Sequence, residues 1–305
     1  MASPELRHLR YLLAVAEHGN FTRAAEDLRI SQPTLSQQIK QLERTLGTQL
    51  LDRTGRTVRL TDAGEAYAHH ARSALRDLAA AERAVHDVQD LSRGHLRLAV
   101  TPTFTAYLVG PLTAELHAHH PGITLTVRET TQDRIETGLL DDEFDLGIAF
   151  RGPHLPGINA SALFTEALTL VTGPRHVADR ADLPGPLPVR ELDDRQLALL
   201  SADFATRGHI DAYLERHGVS PRIAVEANSI QALTEVVQRT PLVTVLPDAV
   251  THDHPRLIPV PLDPALPARV VTLLRRADAY ESAAARAFTR LTRDLVRTRG
   301  YPPAS

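Results

Sequence analysis

At His95 the apolar period of the chain changes, and this constrains the fold more than any other feature of the sequence. Before that point apolar residues recur at helical spacing. Leu6, Leu9, Leu13 and Ala16 form one set, Leu35, Ile39, Leu42 and Leu46 a second, and Tyr67, Ala71, Ala74, Leu78, Ala81, Val85 and Val88 a third. After it, short alternating runs such as "HLRLAV", "ITLTVRE" and "DLGIAF" are separated by helical stretches. The two periods require different layers, so the sequence predicts a helical N-terminal part followed by an α/β part with a mainly parallel sheet. The 305 residues suffice for two or three domains.

The first part reads as three short helices. "HGN" ends the first, "TRAAEDL" forms the second from Thr22 to Leu28, and "RIS" turns into a third, with Ser31 as N-cap and Pro33 in its first turn. Two helices joined by about three residues make a helix-turn-helix candidate. On a wheel of about 100° per residue, Leu35, Ile39, Leu42 and Leu46 share one stripe of the third helix. Pro33, Ser36, Gln37, Lys40, Gln41 and Arg44 share the other, with Gln32 beside them. A face needing only solubility would favour glutamate and lysine pairs. This one is short of acid and rich in groups that donate and accept, which suits base edges and phosphates in a DNA groove. A merely solvated helix face is the competing reading.

The next residues favour DNA. "LLDRTGRTVRLTDAG" places Arg53, Arg56 and Arg59 around a turn and a short alternating run, the pattern of a basic hairpin. Such a wing would put an arginine in the minor groove while the helix occupies the major groove. The net charge of -3 means that any nucleic-acid contact must come from a local cluster of this kind.

The stretch "FTRAAEDLRISQPTLSQQIKQLERTLGTQLLDRTGRTVRLTDAG" resembles the DNA-binding region of LysR-type transcriptional regulators in its paired alanines, Ser-x-Pro, Ser-x-Gln-Ile, Leu-Glu, Leu-Gly and Leu-Thr-x-x-Gly. Leu51 stands where that family usually has phenylalanine. The resemblance implies a winged helix-turn-helix over residues 1–60, a linker and dimerisation helix over 61–93, and an effector-binding domain over 94–300. By it, Gln32, Pro33 and Ser36 read bases, Gln37 and Lys40 support them, and Arg53 or Arg56 serves the wing. It also implies an interrupted palindromic operator, activation, a tetramer and contact with RNA polymerase.

From Thr61, a good N-cap, to Leu91 no proline interrupts the helix, and the third apolar set alternates spacings of four and three. This heptad seam predicts a dimer, which would fix the separation of two recognition helices. Packing against the same chain is the alternative.

The remaining strands, "ALTLVTG", "LALLSAD", "RIAVEAN", "LVTVLP", "RLIPVPL" and "RVVTLLRR", with a helix from about Tyr280 to Arg297, predict two Rossmann-like lobes around a cleft, similar to periplasmic binding proteins. Lobe I covers about 94–160 and 267–300, lobe II about 161–266. Strand ends deliver Thr101, Thr103, Thr131, Ser201, Phe204, Thr206 and Asn228 toward such a cleft, with Arg207 and Ser229 nearby. Hydroxyls at the start of a helix suit a small anion, although each alone reads equally as an N-cap. Within the family, "RLAVTPTFTAYLVGPL", "DLGIAF", "LLSADFATRGHID" and "VEANSI" resemble the branch that controls cyanate detoxification, which makes cyanate the candidate effector. Another small anion or organic acid is the alternative.

Other classes lack support. No Gly-x-Ser-x-Gly elbow, Walker lysine motif or His-Glu-x-x-His is present, so no enzyme is expected. His252 and His254 flank Asp253 without a third placed ligand, and no metal or cofactor is expected. With no cysteine and only "YLLAVA" as an N-terminal apolar run, the sequence predicts a cytoplasmic protein without a membrane span. A solute-binding module without DNA function would leave the polar helix face and the arginine wing unexplained.

Overall fold

The computed structural model describes residues 4–55, 57–89, 94–174, 185–252 and 254–304, and for residues 80 and 82–89 the backbone alone. Arg56, Leu91, Asp253 and the seam side chains of Val85 and Val88 therefore lie outside the described residues. The chain divides into two compact units, Met1–Val85 and His86–Ser305.

The first unit holds α1 (Leu6–His18), α2 (Phe21–Asp27) and α3 (Gln32–Leu46), then strands β1 (Leu51–Asp52) and β2 (Arg59–Leu60), and the start of α4 (Asp62–Gln89). Local chemistry sets the ends. The Asn20 side chain accepts from the N–H groups of Thr22 and Arg23, and Ser31 Oγ accepts from Thr34 N–H at 3.2 Å. Gly47 closes α3 at φ 70°, where a β-carbon would be strained. Leu12, Val15, Ala24, Leu35, Ile39 and Leu42 form the core beneath these helices. β1 and β2 pair antiparallel, Leu51 opposite Leu60. Gly64 lets α4 pass close to this hairpin, since a β-carbon there would lie 2.0 Å from the Leu50 carbonyl oxygen. Thr61 Oγ1 accepts from Gly64 N–H at 3.0 Å, as an N-cap does.

The seam of α4 is divided. Tyr67 packs against the helical core and Ala71 is buried within the single chain, whereas Ala74 and Ala81 are exposed and Leu78 is half-buried.

In the second unit a five-stranded sheet has the order β4-β3-β5-β14-β6, built from β3 (Gly94–Val100), β4 (Ile123–Glu129), β5 (Leu146–Phe150), β6 (Ile158–Glu166) and β14 (Arg269–Arg276). Helices α5 (Pro102–Thr105), α6 (Val109–His119), α7 (Gln132–Leu140) and α11 (Ala283–Thr298) accompany it. The chain then forms β7 (Leu168–Thr172), β8 (Leu187–Pro188), β9 (Gln196–Leu200), α8 (Ala205–Arg216), β10 (Arg222–Ala227), α9 (Ile230–Arg239), β11 (Thr244–Pro247), α10 (Asp248–His252), β12 (Ile258–Val260) and β13 (Leu262–Asp263). β11-β7-β12 make a second sheet, β9 and β10 pair with each other, and a bridge from Leu197 to Val243 ties that pair to the approach to β11.

Two expectations change. Parallel pairing holds for β3 with β4 and β5 and for β9 with β10, but β14 runs antiparallel to both β5 and β6, and the β7 sheet is antiparallel throughout. β6 and β14 carry the chain out of the first sheet and back into it, which forces opposite directions. The single helix expected over "FTAYLVGPLTAELHAHH" is broken into α5, a turn, and α6. β6 is a strand that the sequence pattern does not signal, because small residues dilute the alternation in "INASALFTE".

Candidate DNA interface and effector cleft

Gln32, Pro33, Gln37 and Lys40 are exposed on α3 and Ser36 is half-buried beside them, while Leu35, Ile39 and Leu42 are buried on the opposite stripe. The face is therefore free of the chain's own core. Gln38 is not part of it, because its Oε1 lies 3.0 Å from Nε2 of the buried His8.

Arg53 already has partners within the unit. Its Nη2 donates to Glu43 Oε2 at 3.0 Å, and its guanidinium carbon lies 5.2 Å from the centroid of the Phe21 ring. The other Glu43 oxygen accepts from the N–H groups of Leu50 and Leu51 at 3.0 and 3.2 Å. Glu43 thus ties α3 to β1, and Arg53 is held by that tie. The turn of the hairpin is set by Asp52, whose Oδ1 accepts from both the N–H and the hydroxyl of Thr54. Those hydrogen bonds, then the charge of Arg59, hold the Asp52 carboxyl below its ordinary value. Arg59 is exposed on β2, and Arg56 lies outside the described residues.

In the second unit the expected effector residues at the strand ends fall into pairs on adjacent strands. Thr101 follows β3 and Thr131 follows the adjacent parallel strand β4, and Thr130 N–H donates to Val100 C=O across them at 3.0 Å. Ser201 follows β9 and Asn228 follows the adjacent parallel strand β10, with Ser201 N–H donating to Ala227 C=O at 2.9 Å. The carboxyl ends of parallel strands are where open α/β sheets bind ligands. One contact joins the two pairs' neighbourhoods, the Thr103 and Thr206 hydroxyls at 3.1 Å.

Thr101, Thr131 and Ser229 occupy N-cap positions, but none of their side chains makes a capping hydrogen bond. Ser31 and Ser282, by contrast, do cap their helices. Thr101 is 2% exposed and its Oγ1 has no partner. The helix behind it is a single turn that starts with Pro102, which has no N–H, and the Phe104 N–H is taken by the Thr101 carbonyl. Two of the first-turn donors are thus missing or spent, and the Thr101 hydroxyl beside them has no partner. Phe204 is buried at the N-cap of α8, Ser201 and Thr131 are half-buried, and Asn228 is exposed. Arg207 is engaged internally, with Nε on Asp211 and Nη1 on both the Leu200 carbonyl and Glu226.

Three residues at this place escaped the sequence reading. Arg269 Nε donates to Glu166 Oε2 at 2.6 Å, Arg269 Nη1 donates to Thr206 Oγ1 at 2.9 Å, and Tyr107 OH donates to Glu166 Oε1 at 2.5 Å. The Arg269 guanidinium also lies over the Phe150 ring, 3.6 Å from its centroid. Burial, then the Glu166 carboxylate, raise the Tyr107 phenol well above its ordinary value, so it stays a donor. A glutamate ending one strand and an arginine opening another were the only local signals, and their pairing across 103 residues is invisible in a single sequence.

Among the described residues no group of three or more histidine, aspartate or glutamate side chains comes together as a metal site, and no helix is long and apolar enough to cross a membrane.

Residues 6–65 match the family model described as bacterial regulatory helix-turn-helix protein, lysR family, and residues 89–297 match the LysR substrate binding domain. The chain is 31% identical over 245 residues to the nitrogen assimilation regulatory protein nac of Escherichia coli K12, covering 80% of this chain and 78% of that one. A full-length OxyR variant from Pseudomonas aeruginosa is similar in structure, with a TM-score of 0.70 at 24% identity over 97% of this chain and 96% of that one. Full-length CbnR complexed with its target DNA gives a TM-score of 0.65 at 23% identity, over 95% and 99% of the two chains.

Proposed function

Because this chain belongs to the LysR family of bacterial transcriptional regulators, we propose that it activates transcription when a small anion occupies the cleft between its two α/β sheets. It is a DNA-binding regulator with an effector-binding domain, and not an enzyme. Gln32, Pro33 and Ser36 read base edges in the major groove, with Gln37 and Lys40 supporting them and Arg56 serving the wing. Arg53 contributes by holding the wing through Glu43. The similarity to CbnR, which was seen on its target DNA, is consistent with that docking. Two chains meet through the exposed part of the α4 seam, dimers pair into tetramers on an interrupted palindrome, and RNA polymerase is the further partner. Such a protein works beside the chromosome, in the cytoplasm.

The observation that carries the effector reading is the uncapped, buried and unpartnered hydroxyl of Thr101 at the carboxyl end of β3, next to the parallel strand β4. A buried hydroxyl without a partner calls for an acceptor. We propose cyanate, on the resemblance of this region to the cyanate-operon regulator CynR; another small anion or organic acid is the competing choice. The test combines a gel shift on the DNA upstream of the protein's own gene with calorimetric titration of sodium cyanate. Thr101→Val keeps the shape and removes the donor, so anion affinity falls by about ten- to a hundredfold while DNA binding without effector survives. Unchanged affinity in that variant removes Thr101 from the site, and no shift of the DNA overturns the operator assignment.

A further inference from the structure

Arg269 is 8% exposed and Glu166 2% exposed, so the pair is buried, yet its geometry is incomplete. Nε and Nη1 of Arg269 have aligned acceptors in Glu166 and Thr206. Nη2 lies 2.5 Å from Glu166 Oε2, close enough for an ion pair, but makes no aligned hydrogen bond to it or to any other atom. A buried guanidinium normally spends all its N–H groups. This one keeps donor capacity in reserve, next to Thr206, whose hydroxyl meets Thr103. Two residues before Thr103, the Thr101 hydroxyl is also buried without a partner. The Thr101 hydroxyl therefore has no partner, and Arg269 Nη2 has only its ionic contact to a carboxylate oxygen that already accepts from Nε.

The position of the pair matters as well. Glu166 ends β6, Arg269 begins β14, and the two are register partners on the strands that connect the two sheets. Glu166 would not be abandoned if Arg269 turned to another acceptor, because Tyr107 still donates to it.

We propose that Arg269 is the charge partner of the effector and that Glu166 is a built-in competitor for it, so that a small monoanion binds by taking over guanidinium donors that Glu166 holds incompletely. The inference rests on the reading of this cleft as the effector site. It narrows the ligand to a compact monoanion with accessible acceptor atoms, carboxylate or inorganic, because Phe150 covers one face of the guanidinium and Glu166 repels a second charge. Occupancy is then felt at the residues where the sheets join, since binding changes what Arg269 gives to Glu166 and Thr206.

Calorimetry on the full chain with sodium cyanate, sodium formate, sodium sulfate and neutral formamide tests this. The parent binds cyanate or formate more tightly than sulfate, and formamide binds far more weakly than formate. Glu166→Gln removes the competing charge and strengthens monoanion binding by about tenfold, whereas Arg269→Met weakens it by roughly a hundredfold. Should Arg269→Met alone fail to fold, the paired change Glu166→Leu with Arg269→Met removes both charges together, is expected to fold, and binds no anion. Parent-like affinity in either arginine variant, unchanged or weaker binding in Glu166→Gln, or formamide binding as well as formate overturns the proposal. A parent that binds an anion without regard to Arg269 leaves the effector-cleft reading intact. A parent that binds none of the anions overturns the anion reading together with this inference.

Discussion

The hydroxyls of Thr103 and Thr206, 103 residues apart in the chain, lie 3.1 Å from each other, and Thr206 in turn accepts from Arg269. Thr206 is 2% exposed, so replacing its hydroxyl leaves a buried charged donor short of an acceptor. Thr206→Val should lower the stability of the second unit by roughly 1.5–3 kcal/mol, since the lost bond involves a charged group. Urea denaturation followed by near-ultraviolet circular dichroism gives the number. A loss near zero would mean that the Arg269–Thr206 contact carries no stability.

Glu43 holds β1 by two backbone N–H groups and Arg53 by its second oxygen. Glu43→Ala should cost roughly 2–3 kcal/mol in the first unit, because partly buried donors lose their acceptor. Arg53→Ala should leave the salt dependence of DNA binding nearly unchanged, whereas Arg56→Ala should reduce the slope by about one unit. Equal slopes for the two arginine variants would return Arg53 to the DNA surface.

Gln32 is exposed at the first position of α3, beside a helix start capped by Ser31. Gln32→Ala should relax base preference at one position of each half-site by about 1–3 kcal/mol without changing the salt slope. Competition binding against single-base operator variants reads this; uniform weakening on every sequence would make Gln32 a backbone contact.

On α4, Tyr67 and Ala71 are spent on the chain's own fold, which leaves Ala74, Leu78 and Ala81 for a partner helix. Leu78→Glu would bring two like charges together at that seam, so dimer mass and operator affinity should fall together. Light scattering that shows the parent's oligomer would instead place this stretch against its own chain.

The raised Tyr107 phenol makes a pH prediction with a defined sign. Folding favours its neutral form, so its contribution is fully present below the ordinary tyrosine range near about pH 10 and is lost as pH rises through the higher folded value. Tyr107→Phe lacks this dependence. Denaturation midpoints from pH 8 to 11 should fall more steeply in the parent than in the variant, and parallel curves would show that Tyr107 does not couple folding to alkaline pH.

Local periodicity determined much of this protein. The 3.6-residue repeat of Leu35, Ile39 and Leu42 separated the buried stripe of α3 from its polar face, and the caps at Ser31 and Thr61 marked helix starts by side-chain chemistry acting within three residues. The strands at the carboxyl ends of which the cleft threonines and Ser201 lie were legible for the same reason. Only the tertiary structure decided which polar groups are already spent. Arg53 looked like a free wing arginine until Glu43 claimed it, and α5 looked like the start of a long helix until the chain broke after one turn. The antiparallel return of β14 and the cluster of Tyr107, Glu166, Thr206 and Arg269 depend on residues brought together from separate elements of the second unit. A hydrogen bond needs two groups within about 3 Å, and the sequence carries the identity of each group but not the distance between them.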